Sequence, residues 1–340
     1  MGSQTLYTLL IAFVVAFGVS YALTPIVRKL AVRFGFVDNP TRKHPAILHS
    51  TVIPRAGGVA MFIAFVIAAL LFASIDKLLF GIIIGGAINV VVGTLDDKYD
   101  LPPALRLLFQ VLSAVVVGIA GVTFYVSNPF QEGLLYFGAF NLIILIVWIV
   151  WLMNTINWTK GASQLPGVAV IAYIALAVTA LNYQSGNPYQ IQTAILSVIS
   201  AGVVLAFLPY NFPPERMFPG FGASTFIGFN LAVLSVLSGG KVATLLIVLA
   251  IPIVDAILVG LKRILSGKSP LRNDRGHLYH FLLDLGWSKQ KIIFLYWGAG
   301  IVLGVISVMQ HTEQKITSLV ILVTIISLSF VYLYMRKANS

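Results

Sequence analysis

LLYFGAFNLIILIVWIVWLM, residues 134–153, runs for twenty positions without a charged side chain. Roughly 20 apolar residues in a helix cross the ~30 Å hydrocarbon layer of a bilayer, and a helix satisfies its own backbone polar groups there. The run gives way to NTINWTKGASQ (154–164) and then to a second charge-free run, LPGVAVIAYIALAVTAL (165–181). Two apolar runs joined by a short polar one read as a pair of membrane spans meeting at one surface. Outward from this pair the pattern recurs, and eleven segments approach spanning length. They are Leu6–Leu23, Gly58–Ala73, Leu78–Leu95, Ala104–Val122, Leu134–Met153, Leu165–Leu181, Ile191–Leu208, Phe221–Leu237, Val242–Leu261, Ile292–Met309 and Leu319–Tyr334. Ten is the alternative count, and the eighth segment is the weakest because Gly222, Ser224 and Gly228 dilute it. The predicted fold class is all-α: a polytopic membrane protein, one integral domain over residues 1–340.

Composition supports this. The chain is 59% hydrophobic and 10% charged, where a soluble domain carries about 25% charged residues. So few charges cannot cover a folded surface in water. The net charge of +11 does not imply nucleic acid as a partner, because basic residues beside spans set topology and meet anionic headgroups. With no cysteine, disulfides, thiolate metal sites and cysteine nucleophiles are excluded. Leu6–Leu23 has no basic residue before it and reads as a first span rather than a cleaved signal.

Sidedness follows from the basic residues. Of 22, all but Lys77, Lys241 and Lys315 fall on the odd-to-even connections, their helix ends and the C-terminal tail. Positive charge stays inside, so the N-terminus is expected outside and the Arg336-Lys337 tail in the cytoplasm. Asp38, Asp96, Asp97, Asp100, Glu215, Asp274 and Asp284 sort to the same side. A site is therefore expected on five cytoplasmic loops, about residues 24–57, 96–103, 154–164, 209–220 and 262–291, at the inner membrane.

The third-to-fourth connection reads GTLDDKYDLPPALRLLFQ (93–110). If the helix continues through it, Asp100 shares a face with Asp96 and Asp97. Such carboxylates suit a hard divalent cation or a general base; a solvated acidic helix end is the alternative. Arg55 before Gly57-Gly58 at the mouth of span two suits a phosphate, or simply marks a loop-to-helix boundary. Asn154 and Asn157 lie three apart as neutral hydrogen-bonding groups. Two histidines, His277 and His280, can ligate a metal or belong to an amphipathic interfacial segment.

Taken together, the loops resemble the polyprenyl-phosphate N-acetylhexosamine-1-phosphate transferases from Asp38 to Gly286. PRAGG (54–58), GTLDDKYDL with Arg106 and Gln110, NTIN (154–157), and Pro252, Asp255, Arg263, Gly267, Asp274, Arg275, His277 and His280 follow the family's motifs in order. The resemblance implies transfer of a sugar-1-phosphate from a UDP-sugar to a polyprenyl phosphate, for cell-wall peptidoglycan or another surface glycan. It implies Mg²⁺ as cofactor, the lipid and the nucleotide-sugar as partners, and allows a homodimer. Asp96, Asp97, Asp100, Arg106, His277 and His280 are then the catalytic candidates. Arg55, Gly57, Gly58, Asn154, Asn157, Lys160, Asp274 and Arg275 are the substrate-binding ones, and Asp97 the metal ligand.

Three departures bear on activity. Lys160 and Ser163 stand where the family has aspartates, Phe221 replaces its metal-binding aspartate, and Tyr279 interrupts its histidine motif. Losing a carboxylate weakens Mg²⁺ binding. Glu215 is a weak substitute by position. Lys160 is either exposed, or contacts a substrate phosphate, or pairs with Asp96 or Asp97. Alternatives to an active enzyme are a catalytically silent relative that binds lipid phosphate or a protein, and, less favoured, a transporter.

Overall fold

The structure, a computed structural model, describes residues 3–40, 50–128, 133–182, 189–237, 241–267 and 276–338. Its helices are α1 (Ser3–Arg33), α2 (Gly57–Phe72), α3 (Lys77–Tyr99), α4 (Pro103–Ile119), α5 (Asn141–Thr159), α6 (Leu165–Asn182), α7 (Tyr189–Asn211), α8 (Gly220–Leu237), α9 (Val242–Val248), α10 (Ala250–Leu265), α11 (Leu278–Asp284), α12 (Lys289–Met309) and α13 (Thr312–Ala338). Two short antiparallel ladders lie in the connections: β1 (Val37–Asp38) with β2 (Ile53–Pro54), and β3 (Tyr125–Ser127) with β4 (Leu134–Tyr136). The chain is an all-α polytopic membrane protein. Among the described residues eight helices are long and apolar enough to cross a bilayer, or nine with α9 and α10 taken as one bent span. The shorter apolar helices α2 and α4 account for the remaining two of the eleven apolar segments.

Two spans depart from the sequence expectation. The run from Leu134 does not start as a helix: Leu134 pairs with Ser127 and Tyr136 with Tyr125, and a 3₁₀ turn over Gly138–Phe140 precedes α5. Asn141 ties the hairpin to the helix, donating through Nδ2 to the Phe124 carbonyl (2.7 Å) and accepting from the Phe124 N–H (2.9 Å). Short apolar runs suit strand and helix alike, which is why composition placed the boundary too early. The ninth segment bends by 80° between α9 and α10. Pro252 has no N–H for the Val248 carbonyl, and its ring crowds that group.

The segment weakest in sequence, α8, is the central helix. Every residue from Gly220 to Leu237 is buried, and α8 packs on α2, α3 and α5. Its small residues are contact points rather than diluents. A Cβ on Gly93 of α3 would collide with the Gly222 backbone, and one on Gly58 of α2 with that of Ala223. Small residues let membrane helices approach to backbone contact. This close approach brings the end of α3 and the mouth of α2 onto the start of α8.

Candidate active site

The site grows from the start of α8. Gly220 adopts φ +77, in the left-handed region that costs a Cβ-bearing residue, and any Cβ there would strike the Asp97 carboxylate. The turn therefore wraps Asp97, and the Phe221 N–H donates to both of its oxygens, at 2.9 and 3.0 Å. An orphan amide at a helix start and the positive end of the helix dipole both favour a carboxylate there. Asp97 thus caps α8 from α3.

Arg55 adds a second counter-charge. Its Nη2 lies 2.7 Å from Asp38 Oδ2 and its Nη1 3.7 Å from Asp97 Oδ1. The β1–β2 ladder sets this geometry, with the Arg55 N–H donating to Phe36 O (2.9 Å) and the Phe218 N–H to Pro54 O (2.8 Å). Gly57 and Gly58 are buried; a side chain on Gly57 would meet Phe207 and Pro219. Their burial under other helices seats Arg55 at the site.

Asp96 faces the other way. It accepts from the Leu101 N–H (3.0 Å) and lies 3.5 Å from Arg106 Nη1. The helix does not run on to Asp100: it ends at Tyr99, and Asp100 turns left-handed at φ 53. Asp100 is exposed and does not share a helical face with Asp96. Its N–H closes the turn onto Asp96 O (2.9 Å).

From α5 come Asn154, Asn157 and Lys160. Asn154 donates to Gln110 Oε1 (2.9 Å). Asn157 Oδ1 accepts from Lys160 Nζ (2.7 Å) and Ser224 Oγ (2.8 Å). Lys160 caps α5 just beyond the span. Burial lowers its pKa to about 8, opposed by the nearby Asp97 and Asp96 and reinforced by Arg55 and Arg106. Lys160 Nζ lies 5.7 Å, and Arg106 Cζ 5.2 Å, from the centre of the Phe221 ring, within range for cation–π attraction. Beside them opens a cleft lined by Pro103, Arg106, Leu107, Gln110, Asn154, Asn157, Trp158 and Phe221.

Glu215 is held by Ser163 Oγ (3.0 Å) and Lys289 Nζ (2.7 Å), both on Oε1. The last loop reaches the cleft through Trp158, whose ring centre lies 5.9 Å from that of His277 and 6.0 Å from Arg263 Cζ. His277 Nδ1 lies 3.0 Å from Asp255 Oδ2, at hydrogen-bonding distance. His280 is buried beside the Tyr279 ring, at 4.1 Å between centres. Asp274 and Arg275 lie outside the described residues.

No three acidic or histidine side chains among the described residues converge as a metal site. Asp97 has Arg55 and an amide, Asp96 has Arg106, and Glu215 has Lys289 as partner. These residues do not fit a divalent ion held by carboxylates, which needs oxygen ligands in number. Sequence reasoning passed over Trp158, Ser224, Asp38 and Lys289 as site residues. Trp158 directly follows NTIN, a signal that was available; Lys289 is joined to Glu215 only by the fold.

Comparison with known proteins gives the chain its relatives. The profile of glycosyl transferase family 4 matches residues 79–239. A probable undecaprenyl-phosphate N-acetylglucosaminyl 1-phosphate transferase of Bacillus subtilis is 30% identical over 336 residues, covering 96% of this chain and 91% of that protein. The decaprenyl-phosphate N-acetylglucosaminephosphotransferase of Mycolicibacterium smegmatis is 27% identical over 84% of this chain and 78% of its own. The undecaprenyl-phosphate alpha-N-acetylglucosaminyl 1-phosphate transferase of Yersinia pestis is 26% identical over 98% and 93%.

Proposed function

The chain belongs to glycosyl transferase family 4, and from that membership we propose that it transfers an N-acetylhexosamine-1-phosphate from a UDP-sugar to a polyprenyl phosphate at the cytoplasmic face of the membrane. The observation that carries this is the cleft at the start of α4, the end of α5 and the start of α8. There Arg106 supplies charge, Gln110, Asn154 and Asn157 supply amides, and Trp158 offers an aromatic face. A guanidinium forks onto phosphate oxygens, amides suit sugar or base edges, and an aromatic face suits stacking.

The transfer balances without a protein base. An oxygen of the lipid phosphate dianion forms a bond to the sugar-bearing phosphorus, and the bond from that phosphorus to the bridging oxygen breaks. UMP leaves with the electron pair. Catalysis of this kind is positioning and neutralisation of charge on the phosphoryl oxygens. In this reading Arg106 neutralises, Asn154 and Asn157 orient, and Asp97 holds α8 and Arg55 in place.

Purified protein incubated with radiolabelled UDP-N-acetylglucosamine and polyprenyl phosphate should give a labelled lipid and free UMP, with Arg106→Ala at least about tenfold slower. One observation favours a second reading, a relative that binds but does not react: Asp38, Asp97, Glu215 and Asp255 are each already engaged by a cation, a histidine or a backbone amide. Absence of transfer from every UDP-N-acetylhexosamine, with nucleotide or lipid still bound, would establish that reading instead.

A further inference from the structure

Two cations meet one aromatic ring where the cleft closes. Arg106 lies over Phe221 at 5.2 Å and Lys160 at 5.7 Å. Arg106 has Asp96 at 3.5 Å, which engages one of its five N–H groups. Among the described residues Lys160 has one hydrogen-bond acceptor, Asn157 Oδ1 at 2.7 Å, of the three an ammonium can serve. Both cations therefore retain donors for an anion, and no carboxylate lines the cleft among the described residues. The nearest acids have other partners: Asp97 accepts through both oxygens from the Phe221 N–H, and Asp96 from Leu101 and Arg106.

An ammonium and a guanidinium do different work here. The guanidinium can bind two phosphate oxygens in its own plane, whereas the ammonium is a compact charge on a flexible stem. The ring between them is an apolar floor that attracts both cations and cannot ligate a metal. Both cations thus lie within 6 Å of the centre of one ring, which lines the cleft.

We propose that this chain binds the diphosphate of its nucleotide-sugar donor with Lys160 and Arg106 over Phe221, and needs no divalent cation to do so. The inference rests on the transferase reading above and deepens it: it specifies how the donor is held. During transfer Arg106 and Lys160 neutralise the oxygens of the departing UMP.

Binding of UDP and of UDP-N-acetylglucosamine to the full chain in detergent, followed by calorimetry, tests it with a readout other than turnover. Affinity should change by less than about twofold between EDTA and millimolar Mg²⁺. Lys160→Ala should weaken binding about tenfold or more, while Lys160→Arg, which keeps the charge, should bind within about threefold of the parent. The Arg variant also guards against a general folding defect in the Ala variant. Binding that is lost in EDTA, restored by Mg²⁺ and indifferent to Lys160→Ala would overturn the inference and leave the transferase reading standing. No binding of either nucleotide, with or without Mg²⁺, would overturn both.

Discussion

Asp97 shows how a residue that looks like chemistry can also be architecture. Its carboxylate is buried, capped by the Phe221 N–H on both oxygens and faced by Arg55. In Asp97→Asn the new NH₂ group points a donor at a donor, and a buried unsatisfied amide costs about 1–3 kcal/mol. Thermal unfolding should record that loss, and transfer should fall by orders of magnitude because α8 and Arg55 shift together. A variant with parent-like melting and turnover would remove Asp97 from both roles. Lys160 makes a prediction in pH. Burial, opposed by Asp97 and Asp96 and aided by Arg55 and Arg106, brings its pKa from 10.5 to about 8. The folded chain thus holds this proton less tightly than the unfolded one, so the stability tied to this group is present above pH 10.5 and lost as pH falls through about 8. Donor binding runs the opposite way: it needs the ammonium, and should weaken as pH rises through about 8. Lys160→Arg should abolish that alkaline limb, since a guanidinium stays charged; an unchanged limb in this variant would assign it to another group.

At the scale of elements, helix ends matter more than helix middles. Gly93 sits one turn before Asp97 on α3 and touches the backbone of Gly222 on α8. Gly93→Ala must push the two helices apart, at about 1–3 kcal/mol for overpacking, and in doing so draws Asp97 from the Phe221 amide. Gly260 of α10 has open space around its Cβ position. Gly260→Ala should be neutral or stabilising by up to about 1 kcal/mol, as expected for glycine replaced within a helix. Equal unfolding temperatures for the two variants would contradict the close-packing account. The same contact explains what the sequence could and could not tell. Hydropathy located each apolar segment, since it measures preference for lipid, but it ranked α8 last because a helix with no lipid face has no need of bulk. The 80° break at Leu249 was legible in Pro252 but was not read from it. The hairpin at Leu134 was not legible, because it depends on Asn141 reaching the Phe124 backbone. For the site, motif order brought Arg55, Asp96, Asp97, Arg106, Asn157 and Lys160 under suspicion. Their geometry was not legible: that Phe221 lies beneath Arg106 and Lys160 follows from α8 crossing between α3 and α5.

The whole molecule places these groups on one face, and that arrangement is open to direct test. Basic residues gather on the connections that carry Arg55, Arg106, Lys160, Arg216 and Arg263, while the opposite face holds Lys77, Lys241 and Lys315. We propose that the spans are odd in number, with the N-terminus outside and the C-terminal tail in the cytoplasm, as the positive-inside rule would have it. The doubtful elements are α2 and α4, which are 16 and 17 residues long and fall short of a full crossing. If either were re-entrant rather than spanning, the charged connections would no longer share one side. The chain has no cysteine, so single introduced cysteines report cleanly. Ser74, between α2 and α3, and Ser266, after α10, are both exposed. In sealed cells a membrane-impermeant maleimide should label Ser74→Cys readily, and Ser266→Cys only after the membrane is opened. Lys98→Cys, in the last turn of α3 and also exposed, should behave like Ser266→Cys. Labelling of Ser74→Cys and Lys98→Cys from the same side would mean that α3 does not cross. Labelling of Lys98→Cys and Ser266→Cys from opposite sides would separate Asp96 and Asp97 from the last loop, and the shared cytoplasmic site could not stand.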